Sequence, residues 1–386
     1  MSDTHVEATR ETFAGRAKGS CAGAVLGVFV LVGAAFLLTW NERRSAVRGR
    51  ALDEGERVVA VSSADRIDAG HEGRLVYVTG LATTTETLRD AELGVAETAL
   101  RLRRRVEMYQ WEETEERGAT TQNADGSTTR TRTWRYSKAW KPQVVDSSAF
   151  RKPEGHRNPA AMPLPSASWM AEHATLGVRR LSRSLLEEMD SFEDVPLTTT
   201  SNLPVGLRDA ARLHDGMVYV GKDPGSPEVG DARARVDVAR PAVVSVVSCQ
   251  ANGGFEPYRT TAGETLELLE EGSVDVRGMF QRARQRNALL TWGLRALGGL
   301  LLWMGFDLLL RPLVLLAGWV PWLGGVAAIG ATLISAVLAG MVATGVIAGA
   351  WLWNRPWAGL LIVAAVVSAA AWLLARQARA RQRGLA

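Results

Sequence analysis

Residues 20–40, SCAGAVLGVFVLVGAAFLLTW, decide the class of this chain. They form an uncharged run of 21 residues. As a helix at ~1.5 Å per residue, such a run covers about 31 Å, enough for a ~30 Å hydrocarbon core. It is longer than the apolar part of a signal peptide and ends at Trp40-Asn41-Glu42-Arg43-Arg44 rather than at small residues, so it predicts an uncleaved first transmembrane helix after a tail over 1–19. Gly19, Gly23 and Gly27 recur at every fourth position, which leaves one helix face bare for a second backbone.

The remaining long apolar stretches lie in the last hundred residues. A second transmembrane helix is predicted over 287–311; Arg295 sits near one end, where it can snorkel, and Asp307 stands four residues before Arg311, where the two can pair on one face. The other reading of Asp307 and Arg295 is a polar path for an ion or proton. Pro312 and Pro321 bracket a run too short to cross, predicting an interfacial segment over 312–322 with Trp319 and Trp322 as anchors. A third helix is predicted over 323–353, with Gly345 and Gly349 at close-packing spacing and Trp351 and Trp353 at its exit. A fourth follows over 356–375 from Trp357, and a basic tail covers 376–386. Trp40 anchors the first helix in the same way.

Over 386 residues the chain is 47% hydrophobic, a globular-looking average that hides this pooling and excludes a plain cytosolic enzyme. Cys21 lies within a span and cannot meet Cys249 in a distant domain, so any disulfide is intermolecular. The net charge of +4 comes from arginines near the apolar runs, with no basic tract, which argues for lipid headgroups and against nucleic acid as a partner. Arg43, Arg44, Arg282, Arg284 and Arg286, on the two stems of the hydrophilic region, are the expected headgroup contacts. Lys/Arg bias is a near tie between the two faces; the tail arginines favour cytoplasmic termini and an extracytoplasmic domain.

Residues 41–286 read as a β-rich α+β domain. Period-two runs predict strands, including Arg57–Ser62, Arg74–Thr79, Met217–Val220 and Ala234–Val238, and Val243–Val247 reads as a buried strand. Val106–Trp111 and Thr128–Trp140 predict two long strands joined through Asn123-Ala124-Asp125-Gly126. A helix is expected over Thr175–Met189 and a helical turn over Thr85–Asp90. His71–Val78 and His214–Val220 echo one another, as a duplicated unit or as two similar turns. The fold class is therefore an α+β membrane protein: four transmembrane helices with a large β-rich domain inserted between the first and second. No phosphate loop, paired-cysteine metal spacing or hydrolase elbow is present, and His71, His156, His173 and His214 are scattered. No catalytic, cofactor-binding or metal-binding residues are expected; a hydrolase would need those histidines to converge.

Glu72-Gly73-Arg74-Leu75-Val76, the run Arg105-Val106-Glu107-Met108-Tyr109-Gln110-Trp111, Asp146-Ser147-Ser148-Ala149-Phe150 and Asn158-Pro159 resemble the transmembrane protein 43 family, also called LUMA. Trp292–Gly298, Val320-Pro321-Trp322-Leu323-Gly324 and Trp351–Pro356 are similar to its membrane block, so the resemblance covers nearly the whole chain. At the exit of the first helix the family pattern Asn-Glu-Gly-Arg is replaced by Asn41-Glu42-Arg43-Arg44. The resemblance implies four spans, a large domain in the endoplasmic reticulum lumen or nuclear-envelope space in animals, links to emerin and lamins there, and no established enzymatic activity. Abundant arginine, alanine and glycine point to a GC-rich bacterial genome, in which those two partners do not exist and the location is the inner membrane.

The expected function is a non-enzymatic, multi-pass scaffold that self-associates, contacts membrane lipids and organises other membrane or envelope proteins. The alternative is a channel or transporter using the polar residues of the second span.

Overall fold

The computed structural model describes residues 3–11, 13–122, 127–317 and 323–354. In chain order, β1 (Asp3–Glu11) leads into α1 (Phe13–Val58), followed by β2 (Ala60–Val61), β3 (Leu75–Thr83), the hairpin β4 (Thr87–Asp90) and β5 (Val95–Thr98), and the long hairpin β6 (Arg101–Gln122) and β7 (Thr128–Lys141). Then come β8 (Ala167–Met170), β9 (Thr175–Leu176), β10 (Arg179–Arg180), α2 (Arg183–Glu188), β11 (Glu193–Val195), α3 (Val205–Arg208), β12 (Ala211–His214), β13 (Met217–Val220), β14 (Ala232–Ala239) and β15 (Ala242–Ala251). The chain continues through β16 (Gly254–Glu256), β17 (Tyr258–Arg259), β18 (Thr265–Leu266) and β19 (Leu268–Glu271) to α4 (Val276–Ala317) and α5 (Leu323–Asn354).

Two compact units result: Met1–Phe13 with Leu52–Ala283, and Ala14–Ala51 with Arg284–Ala386. In the first, an eight-stranded sheet runs β1-β7-β6-β14-β13-β12, with β11 beside β14 and β8 beside β6. A seven-stranded sheet runs β19-β15-β16-β10-β9-β3-β2 and returns on itself through β15–β3. Alternation along β6 sends Leu102, Val106 and Met108 into the core. β15 is buried on both faces from Val244 to Ser248, as the expected buried strand requires, but Val243 at its start is exposed. One apolar cluster joins β3 and β15 to α2 through Val76, Val246 and Leu185, and a second fills the space behind β6, β13 and β14. A third gathers Leu52, the last turns of α1, onto Phe280 and Met279 of α4 and Val247 of β15.

Several local expectations change. Thr175–Met189 is helical only over 183–188, because Gly177 takes a left-handed φ of +57° that turns β9 into β10, and Ser182 caps the helix by accepting from the Leu185 N–H. Thr85–Asp90 contains a strand, β4, since Thr87 and Leu88 pair with Thr98 and Glu97. The His71 and His214 echoes belong to different sheets: β3 pairs with β15, whereas β13 is half of a tight hairpin with β12 around Asp215 and Gly216. Residues 3–11, read as part of a tail, form a strand along β7.

Helix boundaries move as well. α1 runs on to Val58 and α4 begins at Val276, both inside the 41–286 region, because Leu52, Met279 and Phe280 have a core to bury against. Residues 312–317 are not a separate interfacial element but extend α4 past Pro312. Proline there forfeits one hydrogen bond to the preceding turn, a loss that membrane helices tolerate where local adjustments satisfy the freed carbonyl. The described residues contain three helices long and apolar enough to cross a membrane, within Ala17–Val58, Val276–Ala317 and Val326–Leu352. The expected fourth helix over 356–375, the tail over 376–386, the hairpin tip 123–126, Trp319, Trp322, Trp357 and the Trp353 side chain lie outside the described residues.

Candidate functional site

Two features concentrate the polar chemistry: a clasp between α1 and α4 at the end of their apolar runs, and a staple that ties the β6–β7 hairpin to the loop after it.

The clasp begins as a sequence pattern. On α1, Gly27, Leu31, Ala34, Leu38 and Asn41 recur at alternating steps of four and three, and on α4 so do Thr291, Arg295, Gly298, Leu302 and Gly305. This is the spacing of a coiled-coil seam. The helices run antiparallel and meet along it. A Cβ at Gly27 would lie 2.7 Å from the Gly305 carbonyl oxygen, one at Gly305 would lie 2.8 Å from Leu31 Cγ, and one at Gly298 would lie 2.5 Å from Leu38 Cδ2. Ala34, Leu38 and Leu302 are buried together with Ala339 of α5.

At the Asn41 end the seam turns polar. Arg295 donates from Nε and Nη2 to the two Glu42 carboxylate oxygens at 2.6 and 2.8 Å, a bidentate pair with Glu42 only 5% exposed. Asn41, fully buried, donates to the Thr291 carbonyl at 3.0 Å. Arg44 donates to Asn287 Oδ1 and Thr291 Oγ1, each at 3.1 Å, and Asn287 donates back to the Ser45 carbonyl at 3.2 Å. Trp292 covers the Arg295 guanidinium at 4.7 Å. A lone arginine or glutamate at the margin of an apolar span is costly, and here each is the other's solution.

The other predicted site residues distribute as follows. Arg295 is turned into the helix pair rather than snorkelling alone. Asp307 and Arg311 lie 3.4 Å apart on one face of α4. A Cβ built at Gly23 would lie 3.7 Å from Leu308 Cδ2, while one at Gly19, Gly345 or Gly349 would meet nothing within 4 Å among the described residues. Of the arginines expected at headgroups, Arg44 belongs to the clasp and Arg282 pairs with Glu270 at 3.0 Å; Arg43 and Arg286 are exposed and Arg284 half-buried. Trp40 and Trp351 are exposed at the ends of their apolar runs. His71, His156, His173 and His214 each sit against a different carboxylate, Asp68, Asp3, Glu86 and Asp215, and no group of three potential metal ligands occurs among the described residues.

The staple unites three of the quoted sequence runs. Gln110, fully buried, accepts from the Val145 N–H at 2.8 Å and donates to the Gln143 carbonyl at 2.9 Å. Asn158 accepts from the Trp111 N–H at 2.7 Å, donates to the Trp111 and Val145 carbonyls at 2.9 and 3.2 Å, and its own N–H meets Ser147 Oγ at 2.9 Å. His156 stacks on Tyr136 at 3.9 Å and meets the Trp111 ring edge-on at 4.7 Å. Burial, and then the Glu113 carboxylate to which it donates, push the Tyr136 phenol up to about 12. Asn158→Ala strips partners from half-buried backbone groups of Trp111 and Val145 and is expected to lower stability by about 1–2 kcal/mol, read as a lower urea midpoint.

The chain matches the family model of transmembrane protein 43 over residues 108–356, a range that begins within β6, takes in Asn158 and reaches past α5. It is 32% identical to transmembrane protein 43 of Mus musculus over 378 residues, covering 94% of this chain and 93% of the relative. It is also 32% identical to the Homo sapiens protein over 361 residues, covering 91% and 89%, and 30% identical to the Drosophila melanogaster homolog over 359 residues, covering 90% and 93%. No solved structure matches it. Sequence identity along almost the whole chain, together with the family motifs that meet in the staple, makes this protein a member of the transmembrane protein 43 family.

Proposed function

We propose that the protein is a multi-pass scaffold that self-associates in the membrane and organises other membrane or envelope proteins, with lipids around its helices, cytoplasmic termini and an extracytoplasmic β-rich domain. The observation that carries this reading is the contrast between seams. Gly27 and Gly305 are spent on the α1–α4 contact within one chain, whereas no described residue comes within 4 Å of a Cβ built at Gly345 or Gly349 of α5, beside exposed Val337 and Met341. In lipid, where apolar burial drives little, such a bare face favours a second helix through close packing. The pairing of Arg295 with Glu42, and of Asp307 with Arg311, supports a scaffold over a polar path through the second span.

Crosslinking in native membranes tests it: wild type is expected to give dimers or larger species, and Gly345→Leu with Gly349→Leu to reduce them at least severalfold. Monomers alone in wild type would sink the proposal.

The topology has its own test. If residues 20–40 cross the bilayer, β1 and β7 lie on opposite faces and cannot share a sheet within one chain. Thr9 faces Arg130 in the β1–β7 register. With Cys21 and Cys249 replaced by serine, Thr9→Cys with Arg130→Cys is expected to form no disulfide in the membrane-embedded protein. Closure of that disulfide would overturn the crossing.

A further inference from the structure

β1 shows what the outer edge of β7 is shaped to hold. The two strands pair antiparallel over nine residues, Asp3↔Tyr136 to Glu11↔Thr128, and among the described residues β7 is otherwise bonded only to β6. Without β1, β7 becomes a long open edge, which proteins otherwise blunt or cover. Alternate β1 residues read a side-chain row. Glu7 Oε2 meets Arg151 Nη2 at 2.5 Å, and Asp3 Oδ2 lies 3.3 Å from His156 Nε2 and 3.5 Å from Lys152 Nζ. Between them His5 lies against the Trp134 ring, 5.9 Å between centroids, and Arg151 covers the same ring at 5.4 Å. β7 itself carries Arg130, Arg132, Arg135, Lys138 and Lys141 and no acid, so a second copy of this edge would face like charge. The complement is acidic.

We infer that the β7 edge is a docking slot for an extended peptide of another protein on the domain's side of the membrane, one bearing carboxylates four residues apart that reach Arg151 and the Lys152–His156 pair. Main-chain hydrogen bonds supply affinity and the two carboxylates supply selectivity, as in other strand-addition sites. The inference rests on the proposed crossing by residues 20–40, which removes β1 to the opposite face and leaves the slot open.

The test uses the full-length protein in nanodiscs and a fluorescein-labelled synthetic peptide of residues 3–11. Saturable binding is expected, about tenfold weaker for a peptide carrying Asp3→Lys and Glu7→Lys. In the protein, Arg151→Glu is expected to weaken the parent peptide and favour one carrying Glu7→Arg. No saturable binding to protein whose Thr9–Arg130 cysteine pair stays open would overturn the slot alone, as would equal binding of the charge-reversed peptide. A closed cysteine pair in nanodiscs would overturn the crossing and the open slot together.

Discussion

Glu42→Leu is expected to destabilise the protein by about 2–3 kcal/mol, because it leaves the half-buried Arg295 guanidinium beside Trp292 with no carboxylate to meet its two bidentate donors. Removing a partner from a buried ion pair costs more than the pair itself contributes, since the desolvation of the survivor is no longer offset. The double variant Glu42→Leu with Arg295→Leu removes both charges and extends the apolar seam, so most of the loss is expected to return. Thermal inactivation in mild detergent, read as the fraction staying monodisperse, closes the double-mutant cycle. A double variant as unstable as Glu42→Leu would assign the loss to leucine packing rather than to the orphaned guanidinium. Arg44 bonds Asn287 and Thr291 rather than Glu42 or Arg295, so the contrast isolates one pair.

The second large effect is steric. Gly27→Ala places a methyl carbon 2.7 Å from a backbone oxygen, which no rotamer change can relieve, so the helices must part. A cost of about 1–3 kcal/mol is expected, more for Gly27→Leu, in the same thermal assay. Gly19→Ala is the control: no described residue lies within 4 Å of a Cβ built there, so it is expected to be neutral or stabilising by up to about 1 kcal/mol. Helix propensity favours alanine over glycine at both positions, so equal losses would mean that something other than the α1–α4 crossing decides them.

These two contrasts mark what was legible in the sequence. The apolar runs, the β-rich region and the long hairpin follow from period and composition, which need no partner to be read. The Gly19, Gly23, Gly27 row is equally visible, but its partner is not: a bare face predicts an approach without saying by what. Gly27 meets Gly305 of the same chain, a contact 278 positions away that only the matching seam on α4 could have suggested. Arg295 was read from its own helix as a snorkelling charge, whereas Glu42, on the other, fixes its direction. Where local propensity misled, a tertiary contact or a single special residue overrode it. Leu181, Leu185 and Leu186 do pack as a helical face predicts, yet Gly177 and the pairing of Arg180 with Gly254 hold the preceding segment extended. Gln110, Trp111, Ser147 and Asn158 carry the family likeness as separate words; only the fold brings them to one staple.

The clasp also sets a schedule for making the protein. Glu42 and Arg295 lie 253 positions apart, so at ~5–20 residues per second a ribosome needs roughly 13–50 s to deliver the arginine after the glutamate. Throughout that interval the first span waits with an unneutralised carboxylate and an uncovered glycine row, the two marks by which an unfinished membrane helix differs from a finished one. Arrival of α4 erases both at once, so the same contact that holds the helices together reports that the chain between them has been completed.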